Sequence, residues 1–352
     1  MKKYLLSLMA FILAIGLLPA SIANAAPTEL KVHFLDVGQG DSILIQAPNG
    51  KNMLVDGGTK GSGDKVVSFL KGKGVKKLDY VVATHPDADH IGGLITVLNA
   101  FPVTNFIDSG KVHTSQTYFD LLTLIDSKNI KFTVPKELDQ LALDPNMMIR
   151  VLHADENAGD TNDASIVLKV TYNKVSFLLM GDANTTIEDY IRSKYDVKAT
   201  VLKNGHHGSN TSSSAAFISN VKPSVAILSY GKNNSYGHPH AAIESRLRNV
   251  GAKTYKTPLD CDITVTSNGV KHAVSTVCKD GKKVTTPAVK PAAKPVAKPA
   301  PKPATKPAPA QSTRTNFKNC TELRTVYPRG VEKGHPAYQS KMDRDKDGWA
   351  CE

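Results

Sequence analysis

The chain of 352 residues is longer than one ordinary domain requires, so its length predicts two folded units with connecting segments. A formal net charge of +12 would suggest a nucleic-acid-binding protein if it were evenly spread. However, residues 26–278 contain 26 basic and 25 acidic side chains, whereas residues 279–315 contain nine basic side chains and one acid. The charge therefore excludes a strongly basic folded domain and indicates a basic tether, which could associate with an anionic cell wall.

The first 25 residues have the composition of a secretory signal peptide. Two lysines precede an apolar run at residues 5–18, and Ala23-Asn24-Ala25 is a small-residue cleavage site. The apolar run is short for a membrane span, and no later stretch approaches the ~20 apolar residues that a spanning helix needs. We therefore expect a secreted, extracellular protein whose mature chain begins at Ala26.

Three segments with different compositions follow this signal peptide. Residues 26–278 alternate strand-like and helix-like patterns and predict one large domain. Residues 279–315 form a Lys/Pro/Ala-rich linker, which cannot bury a core and is expected to be an extended, polyproline-like spacer. Residues 316–352 form a short module that is bracketed by two cysteines.

Within the large segment, apolar runs bounded by Gly and Asn predict strands, and amphipathic patterns predict helices. Strands are predicted at residues 30–35, 42–46, 52–55, 79–83, 165–171, 175–180, 200–203 and 225–230. Helices are predicted at residues 65–73, 117–127, 187–194 and 241–249. Many of the strands end in His, Asp or Gly, which indicates a sheet that presents a site on its loops. These patterns alone do not choose among α/β topologies.

The four cysteines of a secreted chain indicate disulfides, and four cysteines allow three pairings. Cys261 and Cys278 flank a hairpin-like segment whose turn is Ser267-Asn268-Gly269. Cys320 and Cys351 bracket the C-terminal module. We therefore expect local pairing within each unit.

The strongest chemical signal is a cluster of four metal-ligand side chains that follows the predicted strand at residues 79–83. His85, Asp87, Asp89 and His90 fall within six residues and are followed by two glycines. Imidazole and carboxylate together suit zinc, iron or manganese, whereas calcium and magnesium prefer oxygen alone. The cluster therefore predicts a transition-metal site on a loop.

This cluster, HPDADH, resembles the His-x-[His/Asp]-x-Asp-His motif of the metallo-β-lactamase superfamily. Other segments resemble the same superfamily: LDVGQGDS at residues 35–42, VDGG at 55–58, LMGD at 179–182, KNGHHGS at 203–209, SYG at 229–231 and YGHP at 236–239. The combination is most similar to the hydrolase domain of ComEC-type competence proteins and covers about residues 30–270. The resemblance implies a four-layer αβ/βα sandwich with a two-metal site at the edge between its two sheets.

The resemblance also implies a set of metal ligands. His85 and Asp87 would hold one ion, Asp89 and His90 the other, and Asp182 would bridge them. A histidine from the pair His206 and His207 would complete the second site, and the spacing does not decide between the two.

Two departures from the superfamily pattern concern the first metal. Many members have His at the position of Asp87, and a further His usually lies where this chain reads Asp160-Thr161-Asn162-Asp163. Asn162 is then a possible ligand of the first metal. Because this site is rich in oxygen, manganese is credible beside zinc.

Roles in hydrolysis follow from the same resemblance. Two metal ions can lower the pKa of a water molecule, which Asp89 could orient. His238, and His207 or His206 if it is not a ligand, are candidates for a proton donor or a phosphate contact. The serines at positions 209 and 212–214 form either a phosphate cradle or an ordinary polar loop. The acids at positions 36, 41 and 56 are expected to be structural neighbours of the site.

The second signal is an acidic loop in the C-terminal module. Asp343, Asp345 and Asp347 occupy relative positions 1, 3 and 5 and precede a glycine, as at the start of a calcium loop. The chain ends at relative position 10, so Glu352 would replace the usual glutamate with different geometry. Residues 317–352 resemble the excalibur domain, a small extracellular calcium-binding module. A Cys320–Cys351 bridge and a bound calcium ion would stabilise so small a core.

The sequence thus predicts a secreted hydrolase with two divalent metals, zinc or manganese, and a calcium-binding module on a basic tether. The leading hypothesis is a phosphodiesterase or nuclease that acts on a phosphodiester-containing substrate, either nucleic acid or a cell-wall polymer. One alternative is a cell-wall phosphoesterase similar to phosphorylcholine esterases, and a lactamase or lactonase is less favoured because it would want more histidine. A non-catalytic, calcium-dependent surface-binding protein is the alternative from another class.

Overall fold

The computed structural model describes residues 29–278, 283–286, 315–327, 330–343 and 349–351. The predicted signal peptide, most of the predicted linker, and the predicted calcium ligands Asp345, Asp347 and Glu352 lie outside these residues. The described residues fall into two compact units, one within Met1–Ala292 and one within Ala293–Glu352. Among the described helices, none has both the length and the apolar character of a membrane span.

The described part of the larger unit is built from strands and helices that alternate along most of the chain. Its strands are β1 (Leu30–Phe34), β2 (Ile43–Gln46), β3 (Asn52–Val55), β4 (Leu78–Ala83), β5 (Val103–Asp108), β6 (Lys131–Thr133), β7 (Met147–His153), β8 (Val167–Tyr172), β9 (Val175–Leu179), β10 (Val201–Lys203), β11 (Val225–Leu228), β12 (Lys253–Lys256), β13 (Asp262–Ser267), β14 (His272–Val277) and β15 (Lys283–Thr286). Its α-helices are α1 (Gly63–Gly72), α2 (Ala88–Ile91), α3 (Leu94–Ala100), α4 (Gln116–Ser127), α5 (Thr185–Lys194), α6 (Ala215–Val221), α7 (Ala241–Asn249) and α8 (Thr257–Asp260).

These strands form two sheets that pack face to face. The first has the order β15-β14-β13-β1-β2-β3-β4-β5-β6, and the second has the order β12-β11-β10-β9-β8-β7. Strands alternate their side chains between the two faces of a sheet. In β2, Ile43 and Ile45 therefore join the apolar core between the sheets, whereas Leu44 packs against the helices outside. In β9, Phe177 faces the central core, and Leu178 faces the helices on the outer side of the second sheet.

Helices cover the outer face of each sheet. Helices α1, α3 and α4 pack on the first sheet, and α5, α6 and α7 pack on the second. The layers run helix, sheet, sheet, helix, which confirms the expected αβ/βα sandwich.

Parallel pairing determines where the strands end. Strands β3 to β6 pair in parallel in the first sheet, and β9 to β12 do so in the second. The carboxyl ends of parallel strands meet at one edge of a sheet, where α/β proteins place their sites. The segments that follow β4, β9, β10 and β11 therefore converge at one edge of the sandwich.

Two disulfides have the expected local pairing. Cys261–Cys278 joins the start of β13 to the end of β14, and Cys320–Cys351 closes the smaller unit. That unit contains α9 (Cys320–Val326) and the antiparallel strands β16 (Val331–Glu332) and β17 (Trp349–Ala350). Its buried core is small, so the disulfide has to supply part of its stability. Within it, the Tyr338 hydroxyl donates a hydrogen bond of 2.5 Å to Asp343.

A buried ion pair connects the two halves of the sandwich. Asp41 lies in the loop between β1 and β2 of the first sheet, and Lys203 is the last residue of β10 in the second sheet. Lys203 Nζ lies 2.6 Å from Asp41 Oδ2, and both side chains are fully buried. The same ammonium group donates to the carbonyl oxygen of Asn204 (2.9 Å). Neither charge has water as an alternative partner, so each depends on the other.

His33 is a buried histidine of β1 that stays neutral in the fold. Its Nε2–H donates to Gln46 Oε1 (3.2 Å), and its Nδ1 accepts from the Thr264 hydroxyl (2.8 Å). Burial, helped by the charge of nearby Lys73, lowers its pKa to about 3. The unfolded chain, in which histidine titrates near 6.5, therefore binds more protons than the folded chain between those two pH values.

We predict that His33 makes the folded protein less stable as the pH falls below about 6.5. Each pH unit between about 6.5 and 3 costs about 1.4 kcal/mol of unfolding free energy, or about 2 kcal/mol between pH 6.5 and 5. Urea unfolding at pH 7 and pH 5 should show that this loss is about 2 kcal/mol smaller in His33→Gln than in the wild type. His113→Gln controls for the loss of a histidine elsewhere, and equal losses in all three proteins would contradict the prediction.

We predict that Lys203→Met destabilises the protein by about 3–5 kcal/mol, because it leaves the Asp41 carboxylate buried and unpaired. The double variant Lys203→Met/Asp41→Leu should recover much of this loss, since no buried charge remains uncompensated. Denaturant unfolding measures both values, with the exposed Lys198→Met as the matched control. A single variant within about 1 kcal/mol of the control would refute the interpretation.

Candidate metal centre

The converging strand ends bring together imidazoles and carboxylates that lie far apart in the sequence. His85 follows β4, and His90 lies in α2 just beyond it. Asp182 follows β9, and His207 lies in the turn after β10. All four side chains are buried at the edge between the two sheets.

The atoms that face one another in this cluster are metal-ligand atoms. His207 Nε2 lies 3.2 Å from Asp182 Oδ2, 3.3 Å from Asp89 Oδ2 and 3.4 Å from His90 Nε2. His90 Nε2 lies 3.4 Å from the other oxygen of Asp182. Groups of three, such as His85 with His90 and Asp182, or Asp89 with His90 and His207, have donor atoms within 4.8 Å of one another.

Hydrogen bonds outside the cluster orient two of the imidazoles. His90 Nδ1–H donates to Asp56 Oδ2 (2.9 Å), and His207 Nδ1–H donates to the carbonyl oxygen of Ser229 (2.9 Å). With the proton held on Nδ1, each ring turns the lone pair of Nε2 toward the cluster. Partners of this kind fix the tautomer and orientation of metal-binding histidines.

Asp56, which was expected to be a structural neighbour, takes a direct part in positioning the site. Its two oxygens accept from the backbone N–H and the hydroxyl of Thr84 (both 2.8 Å), as well as from His90. Its φ of 58° lies in the left-handed region that non-glycine residues rarely adopt. The Thr84 hydroxyl also lies 3.0 Å from His85 Nδ1. The Asp56 carboxylate, just after β3, therefore contacts His90 directly and His85 through Thr84.

The structure places His206 and His207 differently, although the spacing could not decide between them. His207 is buried within the cluster, whereas the partly exposed His206 Nε2 lies 3.9 Å from Asp182 and its Nδ1 bonds to Thr211. Both residues have positive φ, 42° and 55°, and such strain is commonly kept at functional sites. This backbone turns His207 inward and leaves His206 at the rim.

The predicted first-metal residues are less closely grouped. His85 Nε2 lies 3.7 Å from Asp87 Oδ2, and about a third of the Asp87 side chain is exposed. Asn162, the possible substitute for a missing histidine, has a buried Oδ1 with no hydrogen-bond partner among the described residues.

His238 is a mostly buried histidine beside the centre. Its ring centroid is 5.5 Å from that of His206 and 6.3 Å from that of His207. Burial, together with these neighbouring imidazoles, lowers its pKa to about 4. Its Nδ1 has no hydrogen-bond partner among the described residues.

The serine loop at positions 209 and 212–214 is an ordinary polar loop in the structure. The Ser212 hydroxyl donates to the carbonyl oxygen of Gly205 (2.8 Å), and the backbone N–H groups of Ser213 and Ser214 donate to the Glu188 carboxylate. These groups are used inside the fold, so the loop offers them to no phosphate.

Electrostatics show that the cluster attracts positive charge. Burial opposes protonation of His207, but the carboxylates of Asp182, Asp89 and Asp41 outweigh it and raise its pKa to about 9. The pKa of His90 is likewise raised despite burial, because Asp182 and Asp56 lie beside it. Burial alone would raise the pKa of Asp182, yet the two imidazoles hold it well below its usual value.

The residues present fit a bound transition metal. His85 Nε2 and Asp182 Oδ1 are buried and have no hydrogen-bond partner among the described residues. Buried polar atoms are rarely left in this state unless an ion or water completes them. Imidazole nitrogen and carboxylate oxygen are the donors that zinc and manganese accept.

Comparison with known proteins identifies both units. Residues 317–352 match the Excalibur calcium-binding domain. The same module is 75% identical over 36 residues to part of the SPbeta prophage-derived endonuclease YokF of Bacillus subtilis (strain 168). This match covers 10% of this chain and 12% of that protein.

The larger unit resembles part of two curated bacterial proteins. It is 30% identical over 249 residues to the ComE operon protein 3 of Bacillus subtilis (strain 168), covering 65% of this chain and 32% of that protein. It is 32% identical over 242 residues to the competence protein ComA of Neisseria gonorrhoeae, covering 66% of this chain and 31% of that protein. The chain spans about a third of the length of these curated relatives. Residues 35–232, more than half of the chain, match the profile of the metallo-beta-lactamase superfamily, and the chain therefore belongs to that superfamily.

Proposed function

We propose that this protein is a secreted, metal-dependent phosphodiesterase that cleaves nucleic acid. The observation that carries the proposal is the convergence of the His90 and His207 Nε2 atoms on the two oxygens of Asp182. The outer hydrogen bonds of both rings leave these nitrogens free to bind an ion. A buried edge with this donor set is suited to metal-assisted hydrolysis.

The proposed ligands divide into two sites. His85 and Asp87, with Asn162 as a possible third donor, would hold the first metal, and Asp89, His90 and His207 the second. Asp182 groups with His85 of the first site and lies beside His90 and His207 of the second, and it would bridge the two sites. Two ions of zinc or manganese would supply Lewis acidity, which lowers the pKa of a water molecule and neutralises charge on a phosphoryl oxygen.

The chain itself would bind and orient the reactants. Asp89, partly exposed and 3.3 Å from His207, can accept a hydrogen bond from the attacking water. His206 and His238, whose rings lie beside the cluster, are the candidates for a proton donor or a phosphate contact. Asp56 and Ser229 act through the histidines they orient and are positioning residues.

The choice of a phosphodiester in nucleic acid draws on the relatives. Two that share the larger unit are the ComE operon protein 3 and the competence protein ComA, and the one that shares the C-terminal module is an endonuclease. An oxygen-rich first site is compatible with manganese, which suits phosphoryl transfer. The large domain carries nearly equal numbers of basic and acidic side chains, so its net charge contributes little to affinity for nucleic acid.

The remaining segments would keep the enzyme outside the cell. The predicted signal peptide would direct export, and the Lys/Pro/Ala-rich linker could bind an anionic cell wall. Asp343, Asp345, Asp347 and Glu352 would hold calcium in the C-terminal module.

We predict that the metal-loaded protein hydrolyses a phosphodiester and that His207→Ala lowers kcat/KM at least about 100-fold, the upper end for partners that only orient a ligand. The neighbouring His206→Ala is the matched control and should retain the bound metal. Turnover is measured with zinc, manganese or iron on single- and double-stranded DNA, RNA, bis-p-nitrophenyl phosphate, p-nitrophenyl phosphorylcholine and nitrocefin. Metal content is measured for each variant.

The substrate panel separates the alternatives. Turnover of nucleic acid that is lost in His207→Ala supports the proposal, whereas turnover of the phosphorylcholine substrate alone indicates a cell-wall phosphoesterase. Turnover of nitrocefin alone indicates a lactamase. If no substrate is turned over with any of the three metals, the protein is not the enzyme proposed here, and a non-catalytic surface-binding role gains support.

We predict that the full-length protein binds calcium through the C-terminal loop and that Asp345→Ala abolishes this binding. Aspartate at the third position of such a loop supplies one of its oxygen ligands. Isothermal titration calorimetry measures the binding, with Asp120→Ala on α4 as a control for the loss of an exposed acid. Unchanged calcium affinity in Asp345→Ala would refute this assignment.

A further inference from the structure

The loop between β11 and α7 displays an aromatic ring beside the metal centre. Tyr236 is 64% exposed although it is a large and largely apolar side chain. Its ring stacks on that of His238, with centroids 5.5 Å apart and planes inclined by 21°. One face of the tyrosine ring thus packs against the His238 ring, while most of the residue is exposed to solvent.

Asn234 holds this arrangement in place through four hydrogen bonds. Its amide group donates to the carbonyl oxygens of Gly231 (2.8 Å) and His238 (2.7 Å). Its carbonyl oxygen accepts from the backbone N–H groups of Tyr236 (3.2 Å) and His238 (2.9 Å). A ring presented on a fixed loop loses little conformational entropy when a ligand packs on it.

The His238 ring, on which Tyr236 stacks, also lies next to two histidines of the metal centre. His238 lies 5.5 Å from His206 and 6.3 Å from His207, measured between ring centroids. A group stacked on Tyr236 would therefore lie close to the proposed cleavage site, because the His238 ring that Tyr236 stacks on is next to the cluster. In the serine loop, the Ser212 hydroxyl and the backbone N–H groups of Ser213 and Ser214 are already hydrogen-bonded within the fold.

We propose that Tyr236 is a stacking platform for one base of single-stranded nucleic acid, next to the phosphodiester that is cleaved. This inference rests on the proposed phosphodiesterase function and names its substrate class. A base in a duplex has both faces covered by its neighbours, so only an unpaired base can stack on the ring. Stacking also supplies affinity that does not depend on a net positive charge, which the large domain nearly lacks.

The test is a double-mutant cycle between the tyrosine and the substrate base. Full-length, metal-loaded wild-type and Tyr236→Ala proteins are titrated with two nuclease-resistant phosphorothioate oligomers, an eight-residue oligothymidylate and its abasic counterpart. Binding is measured by fluorescence anisotropy. Stacking of one base contributes about 1–3 kcal/mol, so removal of the bases should weaken wild-type binding at least about fivefold. The same removal should weaken binding by Tyr236→Ala by less than about twofold.

Two variants control the cycle. Tyr236→Phe keeps the ring and should preserve the base effect, whereas Phe119→Ala removes a ring that is equally exposed (64%) on α4 and should also preserve it. A base effect of the same size in Tyr236→Ala and the wild type would overturn the proposal. If Tyr236→Ala leaves the base effect unchanged because it weakens binding of both oligomers equally, the ring contacts sugar or phosphate and not a base.

The failure of this inference and that of the proposed function are distinguishable, because binding is measured without turnover. Base-dependent binding through Tyr236 in a protein that hydrolyses no phosphodiester would support the platform and refute the enzyme. Hydrolysis of single-stranded DNA with a base effect that Tyr236→Ala leaves intact would refute the platform alone.

Discussion

Three buried carboxylates lie at the edge where the two sheets meet, and the local structure depends on how each is compensated. A carboxylate that is removed from water costs several kcal/mol unless it is paired or hydrogen-bonded. Asp41 is paired with Lys203 from the opposite sheet, and Asp56 accepts from Thr84 and from an imidazole. Asp182 faces two imidazoles and has no lysine partner among the described residues, and one of its oxygens, like one of Asp41, lacks a hydrogen bond there. That last carboxylate is where a cation has most to contribute.

The same compensation links the fold to the proposed chemistry. The parallel strands deliver His, Asp and Lys side chains to one edge, and the ion pair between the sheets keeps the two halves of that edge in register. The outer hydrogen bonds then orient each imidazole so that its free nitrogen points inward. A site with this preorganisation spends little energy on rearrangement when it binds metal or substrate.

Much of this arrangement could be predicted from the sequence, and the exceptions have physical reasons. The resemblance carried by the HPDADH segment and the strand-end motifs implied the sandwich, which the structure confirms, whereas β5, β7 and α3, of six to seven residues each, were not predicted. The sequence could not distinguish the adjacent His206 and His207 as candidate ligands. In the structure both have a positive φ, and this backbone turns His207 toward the cluster. The predicted strand at residues 225–230 ends at Leu228, because Ser229 bonds to Gly40 and to His207 instead. The burial of Lys203 follows from its partner in another loop, which spacing alone cannot show.

The central claim is that the strand-end cluster is a metal centre, and anomalous diffraction from crystals of the metal-loaded protein tests it most directly. The account predicts an anomalous peak within about 2.0–2.2 Å of the Nε2 atoms of His90 and His207 and of Asp182. A second peak is predicted beside His85, on the other side of the Asp182 carboxylate. The absence of any peak in this cluster, in protein supplied with zinc or manganese, would contradict the account.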